Sequence, residues 1–361
     1  METNGLLNSE GMSWMDKIFK LIFVTICATV LFAISPVLKD LYNTKMMGTK
    51  KAPENLVENT FIQYTSAKSM KGSVSEYLGK NTADVIKQFG TPSRKKPSEY
   101  DYTWYIYDKD PSQYIQFGIE NGKVVTVFVA GDKINVSPFS IGEHYEDVSD
   151  NGNVNDKVSF SIKYNQYTFK LKPDELNERP LIPCKNGFAQ LYFDRFTGVL
   201  LGIRYLDPET LVKQRPYELI YTGKLLNAKK LSQADQAVVD REEEQEILSL
   251  TNIYRTRMHV RTLKWNNQAA KVALGHSVDM VNNHYFDHNS PKYGTLADRL
   301  NKDHVAYQLA GENIAANYVD GISSVYGWIN SKGHRENFFN KNFNSLGVGS
   351  YNKYQTQNFI K

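Results

Sequence analysis

The amino-acid sequence predicts an α+β protein in which two soluble regions follow a single N-terminal transmembrane helix. Residues 18–38 form the one strongly apolar segment of the chain. Residues 102–205 contain short runs in which aromatic and β-branched residues alternate, a pattern that is typical of strands. Residues 244–361 combine helical periodicity with two short closing strands, which favours helices packed on a small sheet.

The composition excludes two broad classes of protein. Hydrophobic residues make up 41% of the chain and aromatic residues 12%, which indicates packed cores and argues against a largely disordered chain. The formal net charge is only +4. Since no basic cluster is interleaved with aromatic residues, we expect no nucleic-acid partner.

The apolar segment at residues 18–38 is long enough to span a bilayer core of ~30 Å if Lys20 snorkels towards the headgroups. A cleaved secretory signal is the alternative, with Ala33-Ile34-Ser35 as its cleavage site. Pro36 would then begin the mature chain, which is a poor context for cleavage. We therefore predict an uncleaved signal-anchor that attaches the protein to the membrane, with residues 1–17 as a cytoplasmic tail and residues 39–69 as a stalk.

The orientation of this anchor is less simple, because more lysines follow the segment than precede it. Counting nearby positive charges alone favours the reverse orientation. Long hydrophilic domains translocate largely regardless of charge, so we expect a single-pass protein whose soluble domains are extracytoplasmic. Cys27 lies in the membrane segment and Cys184 is alone in the soluble part, so the domains must be stable without an intramolecular disulfide.

Local signals divide the first soluble region, residues 70–225, into elements. Thr82 as N-cap and Gly90 as C-terminal cap predict a short helix that Pro92 stops. Asn121-Gly122 predicts a type I′ hairpin, because both residues tolerate positive φ. We predict strands at residues 102–107, 114–119, 123–130, 158–164, 167–171, 188–194 and 199–205. The two halves share a similar order of strands and Gly-containing turns, which suggests two related subunits of one domain.

A polar linker at residues 226–243 is predicted to lead into the second region, residues 244–361. Its predicted helices cover about residues 243–258 and 267–283, a third helix capped by Thr295 and Asp298, and a fourth over residues 321–331 that Gly333 ends. The predicted closing strands are residues 346–351 and 354–360. His276 lies on the inward face of the second helix, where a lone histidine is more often a satisfied core residue than a ligand.

Three short segments of this region carry imidazole or carboxylate groups, the usual groups for metal binding and proton transfer. They are His-Tyr-Phe-Asp-His-Asn-Ser-Pro at residues 284–291, Gly-Glu-Asn-Ile at 311–314 and Lys-Gly-His-Arg-Glu-Asn at 332–337. We expect Tyr285 and Phe286 to bury and fix a loop from which His288 points into a cleft. The position of His334 after a helix end also has a structural explanation, since a positive group is stabilised there.

In order and wording these segments resemble the bacterial branch of the CAP superfamily, which contains cysteine-rich secretory proteins, antigen 5 and pathogenesis-related proteins. The resemblance covers about residues 244–361 and implies export, an α-β-α sandwich (the CAP or SCP fold) and a central cleft lined by His and Glu. In some members this cleft binds a divalent metal. The resemblance implies cleft positions at His288, Glu312, Asn313, His334 and Tyr354, with His276 and Ser331 behind them.

Two departures from the family pattern bear on the cleft. Tyr354 stands where many eukaryotic members have a second cleft histidine, and their second glutamate is replaced near Ser331. The lack of disulfides also departs from animal members and is similar to Gram-positive surface proteins. Phe89-Gly90-Thr91-Pro92, followed by Tyr100, Trp104-Tyr105 and Tyr114, resembles the CAP-associated N-terminal domain, which we assign to residues 70–225.

Two functions from different classes follow. The first is a surface-anchored binding or scaffolding module whose cleft recognises a wall polymer, a lipid or a surface protein. The second is a hydrolase in which His288, Glu312 and His334 hold zinc and leave one position for water. The incomplete site favours binding. A Ser or Cys nucleophile is less supported, because Cys184 lies outside this domain and neither Ser290 nor Ser331 follows a strand in a nucleophile elbow.

Overall fold

A computed structural model describes residues 72–149 and 154–361 of the chain. The described residues all belong to one compact unit. The predicted tail, membrane segment and stalk all lie outside the described residues. Among the helices that are described, none combines the length and apolar character needed to cross a membrane.

The first region is built around a seven-stranded antiparallel sheet with the strand order β1-β2-β3-β4-β9-β8-β7. Asn121 and Gly122 join β3 to β4 with φ values of 49° and 77°, which confirms the predicted type I′ hairpin. The two halves predicted from the sequence therefore meet in one sheet, where β4 pairs with β9. The strands are β1 (Arg94–Pro97), β2 (Thr103–Tyr107), β3 (Ile115–Glu120), β4 (Lys123–Val129), β7 (Leu181–Cys184), β8 (Gly187–Phe193) and β9 (Leu200–Leu206).

Short helices and a second sheet complete this region. The predicted first helix is present and ends at Gly90 with φ 75°, although Asn81 and not Thr82 precedes its first turn. A three-stranded sheet has the order β10-β6-β5. The elements are α1 (Thr82–Phe89), α2 (Tyr145–Ser149), α3 (Pro173–Glu178), α4 (Pro208–Gln214), β5 (Lys157–Ile162), β6 (Asn165–Lys170) and β10 (Glu218–Thr222).

The second region is an α-β-α sandwich around a four-stranded sheet of order β11-β13-β14-β12. Helices α6 and α7 pack on one face, and α5, α8 and α9 pack on the other. Strand β12 forms one edge of this sheet. The elements are α5 (Gln233–Arg257), β11 (Lys264–Trp265), α6 (Asn267–Asn282), α7 (Leu296–Lys302), β12 (Ala310–Ala316), α8 (Gly321–Ile329), α9 (Lys332–Phe338), β13 (Ser345–Tyr351) and β14 (Tyr354–Ile360).

Two helix boundaries differ from the sequence predictions. The helix predicted to begin at Glu243 begins at Gln233, because Ser232 caps it by accepting a hydrogen bond from the Asp235 N–H. The helix predicted to end at Gly333 ends at Ile329, and Ser331 is the N-cap of a further helix, α9. His334 therefore lies in the first turn of a helix and not after a helix C-terminus. The prediction that a helix C-terminus stabilises a positive charge on His334 is wrong.

The seven-stranded sheet and the sandwich share one hydrophobic core. Aromatic side chains of the sheet, including Trp104 and Tyr192, belong to the same buried cluster as Ile247 of α5 and Tyr326 of α8. The Tyr192 and Tyr326 rings stack with their centroids 4.0 Å apart. At Gly202 an added Cβ would lie 2.0 Å from the Tyr326 hydroxyl, so only glycine lets strand β9 approach this closely.

Buried ion pairs cross the same interface. Lys96 Nζ of β1 lies 2.5 Å from Glu246 Oε2 of α5, and the two side chains are 2% and 0% exposed. Arg204 of β9 donates to both oxygens of Asp320 at 3.0 and 2.7 Å, and Asp320 also caps α8. Because buried charges are tolerated only when paired, these contacts set how the two regions dock.

We expect Lys96→Met and Glu246→Gln, made singly, each to lower the free energy of unfolding by about 3–5 kcal/mol, because each leaves a buried partner unpaired. The double variant should lose less than the sum of the two singles. Denaturant unfolding measures all three. Glu218→Gln, which breaks the exposed Lys170–Glu218 pair, is the control and should cost under about 1 kcal/mol. Additive losses would show that Lys96 and Glu246 do not interact.

Candidate functional site

The candidate cleft lies at the open edge of the four-stranded sheet, along β12. His288 comes from the loop between α6 and α7 on one face of the sheet, and His334 comes from α9 on the other. The two imidazole rings approach each other around this edge, with their centroids 6.3 Å apart. Glu312 extends from β12 towards His288. The structure thus brings together three of the positions predicted from the sequence.

Glu312 is held by a buried arginine that the sequence analysis did not identify. Arg299 Nη2 of α7 lies 2.5 Å from Glu312 Oε2, and His288 Nδ1 lies 3.0 Å from Glu312 Oε1. Arg299 is 4% exposed and Glu312 7%. One signal could have revealed this arginine: it shares the buried face of α7 with Leu296 and Leu300, at helical spacings of three and four residues.

Arg299 also fixes the loop that carries His288. Its Nη1 donates to the carbonyl oxygens of His288 and Gly294 at 2.8 and 2.9 Å. A single guanidinium therefore binds both the carboxylate of β12 and the backbone of the loop. A planar guanidinium is suited to binding several acceptors at once, because its N–H donors point in fixed directions.

Asp279 of α6 is a second anchor of the loop that the sequence analysis missed. It accepts hydrogen bonds from Ser290 Oγ at 2.6 Å, from Asn283 Nδ2 at 2.8 Å and from the Tyr285 hydroxyl. Burial raises the pKa of Asp279, but the hydrogen bonds from these three side chains outweigh it and lower the pKa overall. The loop is thus tied to α6 on both sides of His288.

His276 lies behind the cleft and not on its surface. The side chain is fully buried, its Nε2 is 3.0 Å from the carbonyl oxygen of Asp287, and it is 3.9 Å from Glu312 Oε1. Burial lowers the pKa of His276, so the ring is neutral and its Nε2–H donates to that carbonyl. This position agrees with a supporting role for His276.

The two cleft histidines have opposite electrostatic environments. The hydrogen bond to Glu312 raises the pKa of His288, although burial partly opposes it. Burial lowers the pKa of His334, and the neighbouring His288 lowers it further. Since His288 donates through Nδ1 to Glu312, its Nε2 is left for a ligand, and half of this side chain is exposed.

Asn313 does not line the cleft, which corrects the prediction from the sequence. Successive residues of a strand point to opposite faces, so Asn313 is directed away from Glu312 and is fully buried. Its Nδ2 donates to the carbonyl oxygen of His334 at 3.1 Å and to Gln357 Oε1 at 3.2 Å. Asn313 therefore holds α9 against β12 and positions His334. Ser331 occupies the N-cap position of α9, where its carbonyl oxygen accepts from the Arg335 N–H, and it is likewise a supporting residue.

Tyr354 is the first residue of β14. Its ring packs against that of Phe286, which the sequence predicts to be buried. Phe286 is 51% exposed, and its ring centroid is 6.1 Å from that of Tyr354. The expectation that Phe286 is buried is therefore wrong, because the Asp279 anchor pulls in Tyr285 and turns its neighbour outward. The two rings form an aromatic surface at Phe286, which lies on the same loop as His288.

The predicted zinc set fits this geometry poorly. Both carboxylate oxygens of Glu312 are already bound, one by the guanidinium of Arg299 and one by His288. A metal on this carboxylate would lie beside a buried cation and would displace a hydrogen bond. Only two imidazoles then remain, fewer than the three protein ligands of catalytic zinc sites. Across residues 72–149 and 154–361 no group of three or more His, Cys, Asp or Glu side chains has a metal-binding arrangement.

Comparison with known proteins gives relatives over most of the chain. Membrane protein YlbC of Bacillus subtilis (strain 168), described as uncharacterized, is 46% identical over 285 residues, which cover 79% of this chain and 82% of YlbC. Protein YkwD of the same strain is 39% identical over 106 residues, which cover 29% of this chain and 41% of YkwD.

Two solved structures share the fold. The crystal structure of an extracellular protein containing a SCP domain from Bacillus anthracis str. Ames has a TM-score of 0.77 and 43% identity, and the match covers 86% of this chain and 99% of that one. A cysteine-rich secretory protein from Staphylococcus aureus has a TM-score of 0.71 at 24% identity, with 80% and 93% covered.

The family profiles agree with these relatives. Residues 78–217 match the CAP-associated N-terminal domain, and residues 248–360 match the cysteine-rich secretory protein family. The chain therefore belongs to the cysteine-rich secretory protein (CAP) family, in the form in which a CAP-associated N-terminal domain precedes the CAP domain.

Proposed function

We propose that this protein is a membrane-anchored binding or scaffolding module of the cell surface, whose cleft recognises a ligand or partner in the cell envelope. The observation that carries the proposal is the Arg299–Glu312 ion pair. It compensates the one carboxylate at the centre of the cleft, so no bound cation is needed there. The groups left for a ligand are two imidazoles and an aromatic surface.

The exposed groups suit a polar ligand that also has an apolar face. His288 offers a ring nitrogen for hydrogen bonding, and the exposed ring of Phe286 offers apolar contact area. Aromatic side chains of this kind dominate the energy of many recognition surfaces. A wall polymer, a lipid headgroup or a surface protein could supply such a ligand.

The proposed location rests on the sequence and on the relatives. Residues 18–38 are apolar and long enough for a signal-anchor. YlbC is named a membrane protein, and the relative from Bacillus anthracis is described as extracellular. Together these support a single-pass protein of a Gram-positive bacterium, with both soluble domains outside the membrane.

A zinc-dependent hydrolase is the alternative, and one distance favours it. The His288 and His334 rings are 6.3 Å apart between centroids, which is close enough for both imidazoles to approach one metal ion. Zinc bound there would supply Lewis acidity and an activated water. His288 and His334 would hold it, and Glu312, bound to Arg299, would orient the His288 ring through Nδ1.

We expect the purified chain to be retained on isolated cell envelope and Phe286→Ala to weaken this retention by about tenfold, the loss typical of an aromatic hot spot. Tyr164→Ala is the matched control, because Tyr164 is 89% exposed but lies in the turn between β5 and β6 of the N-terminal domain. Envelope freed of protein, of lipid or of both identifies the ligand class. Equal retention of the Phe286 and Tyr164 variants would contradict the proposed surface.

The zinc content of the purified protein distinguishes the proposed binding module from the zinc-dependent hydrolase. After dialysis against trace zinc, we expect well under one zinc per folded wild-type chain, and the same content in Glu312→Gln, because Arg299 and not a metal occupies the carboxylate. Elemental analysis measures the zinc, and circular dichroism checks folding. About one zinc per chain that is lost in His288→Ala and Glu312→Gln would favour the hydrolase.

The two cleft histidines should titrate on opposite sides of the ordinary value of 6.5. Histidine ring signals in NMR should give a His288 pKa above that value, and Glu312→Gln should lower it because the charged acceptor is lost. His288→Gln should raise the pKa of His334, because a repulsive neighbour is removed.

The same shifts fix the sign of the pH dependence of stability. The stabilisation from His288 is fully present below its unfolded pKa of 6.5 and is lost as the pH rises through its raised folded pKa. The low folded pKa of His334 acts in the other direction, so its stabilisation is lost as the pH falls below 6.5. Asp303→Asn, outside this hydrogen-bond network, is the control. An unchanged His288 titration in Glu312→Gln would contradict the assigned hydrogen bond.

A further inference from the structure

A second concave site lies where the N-terminal domain, the connecting segment and the CAP domain meet. It is a pocket of about 500 Å³ formed by the end of α4, residues 227–231, the start of α5, the turn between β13 and β14, and the turn after β1. Lys353 lies in the wall of this pocket, and Asn358 is the strand partner of Glu312 in the cleft. The five residues from Lys353 to Asn358 correspond to about 16 Å along the strand. The pocket is therefore distinct from the cleft.

The pocket wall is strongly cationic. Its basic residues are Lys213, Arg215, Lys229, Lys230 and Lys353, and its one carboxylate is Glu99. Glu99 pairs with Lys353 at 2.8 Å, so that charge is compensated. Lys213 is compensated from just outside the pocket, by Asp101 and Glu120 at 2.9 Å each.

Three of these cations form no ion pair, although the Asp101 carboxylate that pairs with Lys213 also lies near Lys229. Within the part of the chain that the structure describes, no carboxylate lies within ion-pair distance of Arg215, Lys229 or Lys230. All three side chains belong to exposed residues that line the same pocket. Like charges held close together repel each other, and an anion bound between them would relieve that repulsion.

The cationic groups are held in place by neutral or already balanced partners. Arg215 Nη2 donates to Asn227 Oδ1 at 2.5 Å, so an uncharged amide fixes the guanidinium without cancelling its charge. The N–H of Lys229 donates to Asp101 Oδ1 at 2.9 Å, which fixes the segment that carries Lys229 and Lys230. The pocket is thus organised before a ligand arrives.

We propose that this pocket binds a phosphate group on a ligand of about the size of glycerol phosphate. Three cations without an ion pair suit a group with more than one negative charge, and a phosphate monoester carries about −1.5 to −2 at neutral pH. The guanidinium of Arg215 can donate two parallel hydrogen bonds to two phosphate oxygens. The volume falls in the range of small-molecule sites, and Tyr100 and Leu231 offer surface for the organic part.

The test is calorimetric titration of the full-length chain with glycerol 3-phosphate at low salt. Wild type binds saturably, and the double variant Arg215→Gln/Lys230→Gln binds about tenfold more weakly or worse, because charge-assisted hydrogen bonds are lost. The control Lys123→Gln/Lys157→Gln removes two charges from exposed positions outside the pocket and binds like wild type. Both double variants change exposed side chains, so both are expected to fold.

A second titration, with a short-chain phosphatidylglycerol below its micelle concentration, identifies the source of the phosphate. Tighter binding of this probe, lost in the pocket variant, assigns the pocket to a lipid headgroup. Tighter binding of glycerol 3-phosphate assigns it to a free monoester. Equal losses in the two double variants, or no saturable binding of either probe to wild type, overturn the proposal. The comparison of Phe286→Ala with Tyr164→Ala on cell envelope tests the cleft separately from each of these results.

Discussion

The buried ion pair between Arg299 and Glu312 is the interaction on which the cleft depends. The guanidinium that neutralises the carboxylate at 2.5 Å also holds the carbonyl oxygen of His288 at 2.8 Å. Removing either charge would leave its partner uncompensated in the interior, at a cost of about 3–5 kcal/mol. Strand β12, helix α7 and the His288 loop are therefore positioned together. A loss of function at Arg299 would report on geometry as much as on chemistry, so exposed residues such as Phe286 are the cleaner probes.

The edge position of β12 explains how two layers of the sandwich contribute to one site. Side chains of neighbouring strand residues point to opposite faces of the sheet, so Glu312 and Asn313 contact helical layers on opposite sides. Glu312 fixes His288 on the α7 side through its ring, and Asn313 fixes His334 on the α9 side through its backbone. Among the strands that the structure describes, none covers this edge, so the two imidazoles can approach each other around it. The Gly-Glu-Asn motif thus positions both histidines from two adjacent residues.

Elements with strong local signals could be predicted from the sequence, and those decided by distant contacts could not. The Asn121-Gly122 hairpin and the Thr295 cap of α7 depend on residues that are adjacent or three apart, and both are present. Gly333 was misread because a glycine suits a helix C-terminus but is also tolerated inside a helix that Ser331 starts. In the cleft, the motifs located the imidazoles and the carboxylate. Arg299 escaped notice because its partner, Glu312, comes from another element, and nothing local marks the pair.

The electrostatics of the cleft suit the proposed recognition role. Glu312 accepts a hydrogen bond from His288 Nδ1 and raises the pKa of His288, so Nε2 accepts a hydrogen bond when the ring is neutral and donates one when it is protonated. Burial and the neighbouring His288 lower the pKa of His334, which keeps a ring nitrogen able to accept. The two imidazoles thus offer ring nitrogens on rings whose centroids are 6.3 Å apart, and the apolar ring of Phe286 is exposed on the same loop as His288. A hydroxyl-bearing ligand with an apolar face can use all three groups, and none of them requires a metal to be stable.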